Sequence, residues 1–255
     1  MPGIRPKIEV FEDDEALAQA AAERFLKEAE RAVAERDAFR VALSGGRTPL
    51  KLFRRLRIDW RKAKRPELPW KKTHFFWGDE RHVPPESLDN NYRAAYAVFL
   101  SRMPVPQDQI HRVLSEFPQA EKAAEAYSRE IEACFSLGKG EWPRFDLVLL
   151  GMGADGHTAS LFPQAPVLKE TARLCVGYWA RGANATRITL TPPVFNRARR
   201  VWFLVSGADK AETLKQVLEG EPRPENLPAQ IIQPESGELV WMVDRAAAAR
   251  LRPAA

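Results

Sequence analysis

The sequence is poor in cysteine and histidine, two residues that mark whole classes of protein. Among 255 residues it has two cysteines and four histidines. Cys134 and Cys175 lie far apart in the chain, which excludes a disulfide-rich scaffold and fits the reducing interior of a cell. Because neither cysteine has the spacing of a zinc motif, we predict that the protein binds no metal.

The chain also lacks long apolar runs. A membrane-spanning helix needs about 18 or more apolar residues in a row, and the longest run, around residues 147–154, is far shorter. Residues 1–15 mix acidic and basic side chains and contain no apolar segment of the kind that a secretory signal needs. We therefore expect a cytoplasmic protein that binds no membrane.

Apolar and charged residues are present in quantity. Apolar residues make up 45% of the chain and charged residues 29%. This balance excludes intrinsic disorder and gives a chain of this length an ample core. No repeat or long linker divides the sequence, and the proline-rich stretch 221–234 is interpreted as a surface loop. We predict a single domain that spans residues 1–255.

The net charge of +5 is concentrated in one segment. Between Lys51 and Lys72 there are ten basic residues and two acidic ones, and the rest of the chain is slightly acidic. Trp60 and Trp70 lie among these basic residues, as stacking platforms do in some nucleic-acid-binding surfaces. The alternative is a solvated amphipathic helix followed by a loop. No helix-turn-helix or RNA-binding motif is present, so we predict no nucleic-acid partner.

Short apolar segments alternate along the chain with segments of helical periodicity. The pattern predicts strands over residues 7–11, 39–43, 73–77, 109–113, 145–150, 174–178, 187–190, 201–205 and 239–243. It predicts helices over residues 14–36, 50–56, 91–103, 119–135, 208–218 and 245–251. Several strands lack polar alternation, which indicates a buried, mostly parallel sheet. The expected fold class is α/β, a three-layer sandwich with helices on both faces of the sheet.

Polar clusters follow three of the predicted strands, at residues 44–48, 79–82 and 155–160. Ligands of parallel α/β sheets bind beyond the carboxyl ends of the strands, so we expect the three clusters to converge. In the first, Gly45 and Gly46 precede Arg47, Thr48 and a proline that suits a first helical position. This turn either binds a phosphate or is a tight connection that needs glycine. It lacks the spacing of a nucleotide P-loop.

The second cluster contains Asp79, Glu80 and Arg81. Arg81 can grip a phosphate or carboxylate through two hydrogen bonds, and Asp79 can serve as a base or an orienting acceptor. The alternative is a surface ion cluster on a loop. His82 is interpreted as a solvated loop residue.

The third cluster contains the best candidate for a general base, His157, with Asp155 two residues before it. The glycines at 151, 153 and 156 formally match a dinucleotide-binding motif, but Pro163 and Pro166 interrupt the helix that should follow, so we predict no nicotinamide cofactor. Ser44 and Ser160 lack the context of a nucleophile elbow, which favours water as the nucleophile. The other two histidines, at 74 and 111, fall within predicted strands and are interpreted as structural.

Six blocks of the sequence occur in an order typical of one enzyme family. They are residues 43–49, 77–84, 90–92, 151–163, 187–191 and 207–210. The most specific block begins Gly151-Met152-Gly153-Ala154-Asp155-Gly156-His157. Together the blocks resemble the 6-phosphogluconolactonase family, and the resemblance extends over about residues 8–245.

The resemblance implies a modified Rossmann-like fold, no cofactor, and hydrolysis of 6-phospho-D-glucono-1,5-lactone to 6-phosphogluconate in the oxidative pentose phosphate pathway. His157 would activate water, and Asp155 or Asp79 would orient the imidazole or the substrate hydroxyls. The implied contacts to substrate and phosphate are Ser44, Gly45, Gly46, Arg47, Thr48, Arg81, Asn91, Arg187 and Lys210. We expect a monomer or a weak homo-oligomer.

Two other functions are alternatives to lactone hydrolysis, one enzymatic and one not. A glucosamine-6-phosphate deaminase-like isomerase would use Asp79 to remove a proton next to a carbonyl. Members of that family usually place Tyr after the Asp-Glu pair and Asn-Glu-Pro after the histidine block, whereas this chain has Arg81 and Leu161-Phe162-Pro163. A non-enzymatic module that binds sugar phosphates or nucleic acid would use the segment between Lys51 and Lys72 instead.

Overall fold

The main sheet has six parallel strands. The computed structural model describes residues 6–62 and 69–252. In this sheet the strand order is β1-β9-β8-β5-β2-β3. Its strands are β1 (Lys7–Phe11), β2 (Phe39–Leu43), β3 (Thr73–Trp77), β5 (Leu147–Leu150), β8 (Arg200–Val205) and β9 (Glu238–Asp244), and the expectation of a mostly parallel sheet is confirmed.

The helices cover both faces of this sheet. They are α1 (Asp14–Arg36), α2 (Arg47–Lys62), α3 (Asn91–Val98), α4 (Ala120–Phe135), α5 (Pro192–Asn196), α6 (Ala211–Glu219) and α7 (Arg245–Ala248). Strand β5 shows why a central strand has no polar alternation, because Leu147 and Leu149 pack into the core beside α1, α2 and α3, while Val148 and Leu150 pack into the core beside α4 and α6. The three-layer α/β class is therefore confirmed.

A second, smaller sheet is antiparallel and was not predicted. It has the order β4-β7-β6, with β4 at Asp79–Arg81, β6 at Cys175–Ala180 and β7 at Ala185–Leu190. The chain leaves the main sheet at Gly78, whose N–H donates to Leu43 O at 2.8 Å and whose carbonyl accepts from Leu190 N–H at 2.9 Å. The interpretation of residues 79–81 as a loop is wrong, because their backbone pairs with β7.

Two further predictions around β3 are wrong. Residues 109–113 form no strand, since the segment makes one isolated bridge from Ile110 to Phe75 and then turns at Val113. Their apolar pattern reflects burial of Ile110 and Val113, not pairing. The helix predicted over 91–103 ends at Val98, because Phe99 leaves the helical conformation and its ring packs in the core.

The basic segment between Lys51 and Lys72 is described in part. Helix α2 is amphipathic, with Leu52, Phe53 and Leu56 buried and Arg54 exposed. The Lys51 ammonium forms ion pairs with two carboxylates of α1. Residues 63–68 of this segment lie outside the described residues. Among the helices that are described, none is long and apolar enough to cross a membrane.

Candidate active site

Two adjoining cavities open at the carboxyl ends of β2, β3, β5 and β8. The first has a volume of about 250 Å³ and the second about 470 Å³. The first is lined by ten of the predicted site residues: Ser44, Gly45, Gly46, Arg47, Thr48, Asp79, Arg81, Asn91, His157 and Lys210. The second is lined by Asp155 and Arg187 and again by Asp79, Arg81 and His157. The structure thus brings all twelve predicted residues together.

The glycine turn after β2 forms one end of the first cavity. Gly46 has a φ of 102°, a conformation that favours glycine. A Cβ on Gly45 would lie 2.0 Å from Asn91 Oδ1, so only glycine lets the start of α3 approach this turn. Helix α2 begins at Arg47 with no acidic side chain in its first turn. The first N–H groups of a helix lack partners within it, and this end of α2 therefore suits an anion.

Hydroxyl groups and cations surround the same end of the cavity. Thr48 Oγ1 lies 2.7 Å from Ser206 Oγ, which follows β8. Ser44 Oγ is buried and has no hydrogen-bond partner among the described residues. Lys210 forms an ion pair with Asp209 at 2.8 Å and lines the cavity together with Arg47. These groups can supply hydroxyl donors and positive charge to a phosphate.

His157 is held by Asp155. The distance from His157 Nδ1 to Asp155 Oδ1 is 2.5 Å, and the same oxygen accepts from the His157 backbone N–H at 3.1 Å. Burial by itself would raise the pKa of Asp155, but the hydrogen bond and the charge of His157 outweigh it and lower that pKa. A carboxylate that accepts from Nδ1–H leaves Nε2 unprotonated and available to take a proton.

Gly153 makes room for this pair. A Cβ at this position would lie 2.1 Å from His157 Nδ1 and 2.6 Å from Asp155 Oδ1. On its other side the His157 ring contacts Phe162, with ring centroids 4.4 Å apart. The imidazole is therefore confined between a glycine and an aromatic ring.

Asp79 has a different partner. Its Oδ2 accepts from Ser160 Oγ at 2.6 Å, and its backbone carbonyl accepts from Asn91 Nδ2 at 3.0 Å. Of the two carboxylates that the sequence offers as partners of the imidazole, the structure places Asp155 in contact with His157, whereas Asp79 lies beside Ser160 where both cavities meet.

Glu80 lies behind the site and is fully buried. Its Oε1 accepts from the N–H groups of Arg81 and Asn91, and its Oε2 accepts from the N–H of Tyr92. Burial raises the pKa of Glu80 to about 7. The backbone N–H groups oppose this shift, because they stabilise the carboxylate. The side chain ties β4 to the start of α3 and so fixes Asn91 beside Gly45.

Two arginines are neighbours on adjacent strands of the small sheet. Arg81 on β4 pairs in register with Arg187 on β7. The Arg81 guanidinium donates to Asp89 O at 2.7 Å. Burial and the nearby charge of Arg81 lower the pKa of Arg187. Arg81 and Arg187 therefore bring two positive charges together at the wall of the second cavity.

Sequence reasoning missed some residues of the site. Ser206 lines the first cavity and contacts Thr48, but it follows β8 without a motif of its own. Tyr178 OH donates to Ser160 O at 2.5 Å and so supports the partner of Asp79. Glu80 stands next to predicted residues, but its burial depends on the start of α3, eleven residues later.

Similarity to known proteins shows to which family the chain belongs. A family model described as glucosamine-6-phosphate isomerases/6-phosphogluconolactonase matches residues 12–241. The chain belongs to this family. It is 40% identical over 251 residues to a 6-phosphogluconolactonase of Synechocystis, a match that covers 98% of this chain and all of the relative.

Solved structures with the same fold include both branches of the family. The crystal structure of 6-phosphogluconolactonase from Thermotoga maritima has a TM-score of 0.79 at 32% identity, covering 94% of this chain and 99% of that one. A monomeric glucosamine-6-phosphate deaminase has a TM-score of 0.79 at 20% identity, covering 96% and 99%. At that identity the second likeness shows the fold alone, so the fold does not separate lactonase from deaminase.

Proposed function

We propose that this protein hydrolyses 6-phospho-D-glucono-1,5-lactone to 6-phosphogluconate in the oxidative pentose phosphate pathway. The observation that carries the proposal is the placement of the His157–Asp155 pair between two cationic regions. The name of the Synechocystis relative and its 40% identity over nearly the whole chain support the same reaction.

The two cationic regions suit the two ends of this substrate. We assign the phosphate to the turn around Gly46, where the start of α2 is flanked by Arg47 and Lys210. The lactone carbonyl then lies toward His157 and the second cavity. The product carries a new carboxylate at that end, and Arg81 and Arg187 supply the charge that a carboxylate requires.

The chemistry needs water, a base and an oxyanion partner. His157 Nε2 takes a proton from water as the oxygen attacks the lactone carbonyl, and Asp155 stabilises the imidazolium that forms. The negative charge on the carbonyl oxygen is stabilised by the Arg81–Arg187 pair. When the tetrahedral intermediate collapses, the bond from C1 to the ring oxygen breaks and His157 returns the proton to that oxygen.

Asp79 serves as an orienting acceptor in this scheme. Its Oδ2 already accepts from Ser160, and because Asp79 lines both cavities we assign it a contact with the sugar ring and not with the imidazole. In the deaminase alternative the same carboxylate would remove a proton from carbon. The presence of Arg81 where that branch usually has Tyr favours the lactonase.

One pair of assays tests the proposal. Acid release is followed while glucose-6-phosphate dehydrogenase generates the lactone, with the spontaneous rate subtracted, and ammonia release from glucosamine-6-phosphate is followed in parallel. We expect acid release only, and a loss of about 100- to 10,000-fold in kcat for His157→Ala. The matched control is His82→Gln, since His82 lines neither cavity and its ring contacts Phe117 O. Ammonia release without lactone hydrolysis would overturn the proposal.

Three expectations from the sequence belong with this function. We propose that the enzyme acts in the cytoplasm, without a nucleic-acid partner, as a monomer or a weak homo-oligomer. Analytical ultracentrifugation across a range of concentrations tests the last of these, because a tight oligomer would keep a sedimentation coefficient above that of a single chain even at the highest dilution.

A further inference from the structure

A second group of chemically reactive side chains lies away from the cavities. His74 is on β3, His111 follows the bridge between Ile110 and β3, and Cys134 is in the last turn of α4. The N–H of His111 donates to Phe75 O at 2.8 Å, which fixes its backbone beside the strand. His74 lies three residues before the carboxyl end of β3, roughly 10 Å along the strand from the end at which the cavities open.

The three ligand atoms converge on one point. His74 Nδ1 lies 3.0 Å from His111 Nε2, and Cys134 Sγ lies 3.5 Å from the first and 3.8 Å from the second. A tetrahedral zinc ion with Zn–N of about 2.05 Å and Zn–S of about 2.3 Å needs N···N of about 3.3 Å and N···S of about 3.6 Å. All three separations lie within about 0.4 Å of those values, so small side-chain adjustments complete the geometry.

The surroundings of His111 orient its ring. The other nitrogen of His111, Nδ1, lies 2.6 Å from Glu130 Oε1, and the ring stacks on Phe76 at a centroid distance of 4.3 Å. A carboxylate on the far nitrogen is the usual partner of a metal-bound histidine, because it fixes the tautomer that leaves the ligand nitrogen unprotonated. With His111 in that tautomer, metal binding requires that His74 carry its proton on Nε2 and that Cys134 lose its proton and bind as the thiolate.

The charged groups near the cluster offset one another in part. The Arg40 guanidinium donates to Cys134 O at 3.5 Å and lies over the Phe135 ring, so it places a positive charge near the cluster. Glu130 offsets that charge, and a bound thiolate offsets half the charge of a dication. His74 and Cys134 are only partly buried, which leaves a path for an ion and for a water molecule as a fourth ligand.

We propose that His74, His111 and Cys134 form a binding site for a zinc-class ion that joins β3, the segment around His111 and the end of α4. This proposal replaces the prediction, made from the sequence, that the protein binds no metal. The ion has no part in the proposed hydrolysis, because the cluster lies at the other end of β3. Its role is to hold α4 against the edge of the main sheet.

Cobalt titration tests the proposal directly, because a thiolate ligand gives Co²⁺ a charge-transfer band. Protein freed of metal by dialysis against a chelator is titrated with Co²⁺ and then with Zn²⁺. We expect one Co²⁺ per chain, a thiolate-to-cobalt band, and displacement of cobalt by zinc. Cys134→Ser should remove the band, and His74→Gln should weaken binding at least tenfold. The matched control is Cys175→Ala, which removes the other cysteine and should keep the band.

Two controls separate this site from metal binding at His157 and from a cluster that holds no ion. His157→Ala should bind cobalt as the wild type does, whereas loss of the band in that variant would place the ion in the active site and overturn the proposal. Zinc at about 100 times its dissociation constant should raise the Tm of the wild type by roughly 5–10 °C and leave the Tm of Cys134→Ser unchanged. A folded wild type that binds no cobalt at micromolar concentrations, or a Cys134→Ser variant that retains the band, would show that His74 and His111 form only a hydrogen-bonded pair.

Discussion

The molecule has two imidazole clusters at opposite ends of its main sheet, and they are built in opposite ways. His157 and Asp155 are two residues apart in one loop, and a glycine turn and two sheets bring the cations to them. His74, His111 and Cys134 come from three distant segments of the chain. In each cluster one imidazole nitrogen faces a carboxylate, which leaves the other nitrogen free to act. The two proposals therefore give the same pairing a proton to accept in one cluster and a metal ion to bind in the other.

The largest effect should come from removing the carboxylate partner in each cluster. Asp155→Asn should lower kcat on the order of 100-fold, because the imidazolium loses the charge that stabilises it. Glu130→Gln should lower cobalt affinity about 10- to 100-fold. Lactone assays and cobalt titrations on both variants check this, and a variant that damages both sites equally would contradict the independence of the two clusters.

Gly153→Ala tests whether the catalytic imidazole needs its confined position. The added methyl would collide with both His157 and Asp155, and a displacement of about 1 Å from reactive geometry costs about 100-fold in rate. We expect a comparable loss in kcat with a small change in Tm. Gly151→Ala is the matched variant, since a Cβ there would meet no atom within 4 Å, and it should lose much less activity. Equal losses would contradict the role given to Gly153.

The two cationic regions should differ in the kinetic constant that they affect. Lys210→Ala should raise KM about 10- to 100-fold, because it removes a charge-assisted hydrogen bond to the phosphate in ground and transition states alike. Arg187→Ala should act mainly on kcat, because the charge that it meets develops during the reaction. Steady-state kinetics of both variants check the assignment, and the reverse pattern would exchange the two ends of the substrate.

Substitution of Glu80 should have the smallest effect on activity and the clearest effect on stability. Its pKa of about 7 exceeds the value of 4.5 expected without burial, so between these pH values the folded state holds a proton that the unfolded state has released. Stability therefore falls as pH rises through this window, by up to about 3 kcal/mol. Glu80→Gln has no such titration. Urea unfolding of both proteins at pH 5 and pH 8 should show a steeper decline for the wild type, and parallel declines would contradict the shift.

The sequence predicted the parts of the fold that are determined by residues close together in the chain. The main sheet was predictable because β5 and β8 are buried on both faces, and the convergence of the active site followed from the common edge at which parallel strands end. Strand β4 was not predictable, since Asp79, Glu80 and Arg81 have no apolar alternation and are buried by groups from β7 and α3.

The cluster of His74, His111 and Cys134 was still harder to predict from the sequence. Its ligands are separated by 37 and 23 residues, far beyond the spacing of a local motif. The backbone hydrogen bond from His111 to Phe75, which no sequence pattern indicates, brings His111 beside His74.

The proposed catalytic pair is open to the surrounding water, with 30% of the His157 side chain and 46% of the Asp155 side chain exposed. In an enzyme that transfers a group between two substrates, such exposure would let water react in place of the acceptor substrate. Here water is itself a substrate. The site can therefore refill with its nucleophile from bulk solvent after every turnover.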